Sequence, residues 1–62
     1  MDIWTEILSR NEEHIRQTFL SLSQTEKITV RADLIKMTTE PDWHPQQIQS
    51  AQIALDAVKD IP

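Results

Sequence analysis

Residues 23–37 carry apolar side chains on two opposite sides of a helix rather than on one. At about 100° per residue, two sets of three residues share a side: Ile28, Ala32 and Ile35 (the Ile28 face), and Val30, Leu34 and Met37 (the Leu34 face). A surface helix normally has one apolar stripe, whereas a helix with two is packed on both sides. The pattern therefore predicts a central helix held between two others.

The segments on either side each offer one apolar stripe with the three- and four-residue steps of an amphipathic helix. The first stripe consists of Trp4, Leu8, Ile15, Phe19 and Leu22, and the second of Ile48, Ala51, Ala54, Leu55 and Val58. We therefore predict an all-α fold, a small three-helix module with helices at about residues 2–22, 23–38 and 45–60. The middle helix is the two-faced central one.

Start and stop residues support these boundaries. Asp2 can cap the first helix, and Ser23 with Glu26 matches a capping box at the start of the second. Pro41 disfavours helix at the residue before it, and Pro45 suits the first position of the third helix. Glycine is absent from the chain, which favours helices over tight hairpins and phosphate-binding loops.

Two local features leave alternatives. Residues 28–34 also alternate as a strand would, but no second strand is available to pair with them, so a helix is preferred. Asn11 lies within the first apolar stripe. It either sets the register of a helix–helix seam or lies at the exposed end of a short core. The second interpretation is favoured because the stripe is too short for sustained heptads.

Sixty-two residues indicate a single domain, residues 1–62, that buries only about 60% of its unfolded surface. No cysteine is present, so disulfides and thiolate zinc sites cannot compensate for a thin core. Self-association or a tight partner is therefore expected. The sequence shows no signal peptide and no apolar run long enough to span a membrane, and we expect a cytoplasmic protein.

Ten acidic residues against six basic ones give a net charge of −4, which disfavours nucleic acids and anionic membranes as partners. A small helix-turn-helix-like regulator remains the alternative, since three short helices are typical of that class. Against it, the third helix has several glutamines but only Lys59 as a cation, so phosphate contacts would be scarce.

No catalytic motif, cofactor loop or metal-binding spacing is recognisable. His14 and His44 lie on different segments, so no catalytic residue, cofactor or metal is expected. A chain this short can scarcely enclose a substrate pocket. An enzyme would need a cleft between subunits, with His14 and Glu13 on its walls.

We therefore expect a non-catalytic protein–protein interaction or regulatory module that binds itself, as a homo-oligomer, or another protein through helix faces. The predicted contact residues are apolar positions at or beyond the edges of the stripes together with the largest side chains: Trp4, Ile7, Phe19, Leu20 and Ile53. Because the flanking stripes are thin, one face of the central helix could also meet a second subunit.

Overall fold

The computed structural model describes residues 3–62 and contains four α-helices in this range. They are α1 (Ile3–Ile7), α2 (Glu12–Leu20), α3 (Gln24–Thr39) and α4 (Pro45–Val58). The all-α prediction is confirmed. The predicted helix 2–22 is in fact two helices, and its proposed cap at Asp2 lies outside the described residues.

The break between α1 and α2 is made by two consecutive residues. Arg10 has a φ of 67°, in the left-handed region that ends a helix and is usually occupied by glycine. Asn11 is the N-cap of α2, and its side-chain oxygen accepts a hydrogen bond from the amide of His14 at 3.1 Å. Asn11 therefore begins a helix, which neither sequence interpretation anticipated.

The starts of α3 and α4 follow their sequence signals. Ser23 Oγ accepts from the Glu26 amide at 3.2 Å, and Glu26 Oε1 accepts from the Ser23 amide at 2.9 Å. This reciprocal capping holds the pKa of Glu26 below its ordinary value, chiefly through the backbone hydrogen bond from Ser23. Pro45 opens α4, and Nδ1 of His44 accepts from the Gln46 amide at 3.2 Å.

The helix at the centre of the fold is α4, which packs against both α2 and α3, while α1 packs against α2. The buried residues of α4 are small apart from one valine: Ser50, Ala51, Ala54, Ala57 and Val58. Small side chains allow neighbouring helices to approach closely. The prediction that residues 23–38 form the central helix was wrong, because α3 is packed against α4 through its Leu34 face.

The core draws on all four helices and the segment after α4. Its fully or nearly fully buried residues are Ile7, Ile15, Phe19, Val30, Leu34, Met37, Ala51, Ala54, Ala57, Val58 and Ile61. Four of them are larger than valine and completely covered: Phe19, Ile7, Ile15 and Leu34. The apolar stripes predicted for the flanking segments supply much of this set, together with one of the two faces predicted for α3.

Two arginines bind the carboxyl end of α4. Arg16 Nη1 donates to the Ala57 carbonyl at 2.8 Å and to Asp60 Oδ1 at 2.6 Å. Arg31 Nη2 donates to the carbonyl of Val58 at 3.1 Å and to that of Ile61. Carbonyls at a helix end carry partial negative charge and lack intrahelical donors. The guanidinium groups therefore supply hydrogen-bond donors to carbonyls at the end of α4, where no glycine cap is present. They also attach α2 and α3 to α4.

The same arginines have further contacts. Arg16 holds the pKa of Asp60 below its ordinary value, mainly through their side-chain hydrogen bond. The guanidinium carbon of Arg31 lies 5.3 Å from the centre of the Phe19 ring, within the range of a cation–π contact. Arg31 consequently joins α3 to both α2 and the end of α4.

Candidate functional site

The Ile28 face of α3 is open to solvent. Ile28 is 61% exposed and Ile35 48% exposed, and Ala32 between them is also exposed. A shallow concavity of about 240 Å³ runs along this face and is lined by Gln24, Lys27, Ile28, Arg31, Ala32, Ile35 and Pro62. The face thus presents an apolar surface that the described chain does not cover.

This exposure follows from the two-sided pattern of α3. Only one apolar side is needed to pack against α4, and the Leu34 face fills that role with Val30 at 3%, Leu34 at 0% and Met37 at 5% exposure. The opposite side has no further helix of the described chain to pack against. An apolar face with the spacing of a packed surface is therefore left without a packing partner among residues 3–62.

Cations border the Ile28 face on both edges. Lys27 and Arg31 line the concavity on one edge. Lys36 is on the other edge, one helical turn beyond Ala32, as i,i+4 neighbours are. At this helical spacing the acidic residues of α3, Glu26 and Asp33, point more than about 130° away from the centre of the face, further than the three cations do. The edges of the face are therefore positive on a chain whose net charge is −4.

The five contact residues predicted from sequence do not form one surface. Ile7 and Phe19 are 0% exposed within the chain's own core, so their side chains are not accessible on the surface of the single chain. Trp4 and Ile53 are partly buried against that core. Leu20 is 55% exposed on α2, beside a shallow groove lined with Glu12 and Glu13. Of the five, Leu20 has the most accessible side chain.

Ile28 and Ile35 were not among those five residues, although the sequence already showed that they share one face of the helix. The two-face pattern separated them from the Leu34 face, but it could not show which face α4 would cover. That choice depends on contacts between residues distant in the chain. The packing of α4 settles it in favour of the Leu34 face.

A second concavity of about 400 Å³ lies beside α1, α3 and the α3–α4 link. Its lining residues are Trp4, Leu8, Asp33, Lys36, Met37, Trp43 and Gln47. Trp43 is 37% exposed, and its Nε1 donates to Glu40 Oε1 at 3.1 Å. The lining contains one acidic and one basic side chain, so it favours neither sign of charge in a ligand.

Both histidines have local contacts. Nε2 of His14 is paired with Oε2 of Glu6, which joins α2 to α1, and His44 caps α4. Within residues 3–62 there is no group of three histidine, cysteine, aspartate or glutamate residues that could hold a metal ion. None of the helices in the same range has the length and apolar character needed to cross a membrane.

No protein-family model, curated protein or solved structure matches this chain.

Proposed function

We propose that this protein is a non-catalytic protein–protein interaction module with a regulatory role, and that the Ile28 face of α3 is its contact surface. The observation that carries the proposal is the exposure of Ile28 and Ile35, two turns apart on one helix with Ala32 between them. Contiguous exposed apolar side chains mark interaction sites more often than isolated ones do.

The spacing of the face suits recognition of a helix. Ile28, Ala32 and Ile35 occupy positions i, i+4 and i+7, which is the anchor pattern by which one amphipathic helix packs against another. Fully burying an isoleucine is worth roughly 1.5–3 kcal/mol relative to leaving it exposed. Covering this face would therefore supply useful binding energy, with the small Ala32 leaving room for a partner's side chain.

Composition is consistent with this class. The chain is short, so its core is thin and a partner would add stability. The absence of cysteine suits a reducing compartment, and we place the interaction in the cytoplasm. The partner in this proposal is either a second copy of the chain or another protein.

The proposal is tested by affinity capture from the native cell together with sedimentation velocity of the purified chain. The test variant is the double substitution Ile28→Asn and Ile35→Asn, and the matched control is Leu20→Asn, since Leu20 is similarly exposed at 55%. We expect wild type and the control to retain the same specific partner, or the same oligomer, and the double variant to lose it. Equal capture and equal mass for all three proteins would refute the proposal.

A further inference from the structure

We infer that the Ile28 face binds an amphipathic helix of another protein whose apolar stripe is bordered by carboxylates on both edges. This inference rests on the proposed function and names the occupant of the same surface.

The charged side chains that line the concavity are all basic. They are Lys27 and Arg31, and there is no aspartate or glutamate among the described residues that line the concavity. Nη2 of Arg31 donates to two carbonyls at the end of α4. Lys36 adds a third cation on the opposite edge and is exposed. A helix with glutamate or aspartate beside its apolar stripe would meet opposite charges on both sides.

A second copy of α3 is a poor match for this face. When two copies of α3 pack face to face in antiparallel orientation, each edge of one helix lies against the same edge of the other. When they pack in parallel orientation, each edge lies against the opposite edge of the other helix. Because both edges are cationic, either arrangement brings lysine or arginine against lysine or arginine. Like charges that face each other across a contact disfavour association.

Other surfaces of a second copy offer too little apolar area. In the part of the chain that the structure describes, the exposed large apolar residues outside this face are Leu20 and Trp43. Glu12 and Glu13 lie near Leu20, so the negative charge of that surface would suit the cationic edges of the Ile28 face. Leu20 is, however, a single apolar side chain. A stable interface buries about 800 Å² on each partner. Such a head-to-tail contact would also leave unpaired surfaces at its ends.

The test uses two stapled synthetic helices with the same leucine stripe at i, i+4 and i+7. The residues on both edges of the stripe are glutamate in one helix and lysine in the other. Each labelled helix is titrated with the full chain, and binding is followed by fluorescence anisotropy. We expect the glutamate helix to bind about tenfold more tightly, since three surface charge pairs change sign. Its advantage should shrink as salt is raised.

Three variants make the result specific to the face. The Ile28→Asn and Ile35→Asn double variant should lose binding of the glutamate helix, whereas Leu20→Asn should bind as wild type does. Reversing two edge charges, Lys27→Glu and Lys36→Glu, should invert the preference toward the lysine helix. Arg31 is left unchanged because it also holds the end of α4.

The possible failures separate the inference from the proposed function. If the lysine helix binds wild type as tightly as the glutamate helix, and the double variant loses both, the acidic occupant is wrong and the contact surface stands. The same conclusion follows if the chain forms a dimer that the double variant dissolves. If neither helix binds and the chain stays monomeric and captures no partner that depends on Ile28 and Ile35, both the inference and the proposed function fail.

Discussion

Arg10 shows at the scale of one residue how the chain turns without glycine. Its φ of 67° places it where a side chain with a Cβ is disfavoured by roughly 1–2 kcal/mol. Two hydrogen bonds offset this cost: Nε donates to Ser50 Oγ at 2.9 Å, and Nη2 donates to the Gln46 carbonyl at 3.0 Å. The Arg10 side chain thus attaches the segment between α1 and α2 to α4.

Two substitutions at Arg10 separate these contributions. Arg10→Ala and Arg10→Gly both remove the bonds to α4, but only glycine relieves the left-handed backbone angle. We expect the glycine variant to be the more stable of the two by about 0.5–1 kcal/mol, after allowance for the greater freedom of glycine in the unfolded chain. Urea unfolding followed by circular dichroism measures the difference. An alanine variant at least as stable as the glycine variant would contradict the backbone assignment at Arg10.

At the scale of elements, α4 organises the fold through its small side chains. Ala51 and Ala54 are 0% exposed, and the helix that carries them packs against both α2 and α3. Larger residues at these positions would separate the neighbouring helices. The sequence showed the alanines, but it did not show that their helix lies at the centre.

The same substitution at two alanines tests the central position of α4. Ala54→Leu should lower the free energy of unfolding by about 1–3 kcal/mol, because extra methylene groups overpack a filled interior. Ala32→Leu is the control, since Ala32 is exposed on α3, and it should change stability by less than about 0.5 kcal/mol. Urea midpoints at neutral pH give both values. Equal effects at the two positions would show that α4 is not tightly enclosed.

The sequence predicted correctly the helix starts that depend only on neighbouring residues. The Ser23–Glu26 capping box and Pro45 are each recognisable within a few residues, and both helices begin where those residues predict. The break at Arg10 was missed because no glycine marks it and because Asn11 also fits the apolar stripe as an interior polar residue. Its stabilising contacts lie 36 and 40 residues away, at Gln46 and Ser50, where periodicity carries no information.

The candidate surface was predictable only in part for the same reason. Helical spacing separated the Ile28 face from the Leu34 face, and that separation is present in the structure. Which face is buried depends on where α4 lies. The large residues Ile7 and Phe19, chosen from the sequence as contacts, are instead required inside a core that has few other large side chains.

At the scale of the whole molecule, charge and apolar surface are unevenly distributed. The chain carries a net charge of −4, yet the edges of the Ile28 face carry Lys27, Arg31 and Lys36. The overall repulsion between this chain and the acidic helix that we propose as its partner would therefore be countered locally at one surface. Specific recognition of an acidic helix requires both the apolar stripe and the cations beside it, because surface charge pairs alone contribute little.

Chemical-shift mapping can show whether α3 binds a helix through the Ile28 face, as we propose. The ¹⁵N-labelled full chain is titrated with the glutamate-edged stapled helix, and amide shifts are followed for every residue. We predict that the largest changes occur at Ile28, Ala32 and Ile35. Largest changes around Trp4 and Trp43, or around Leu20 on α2, would contradict the claim.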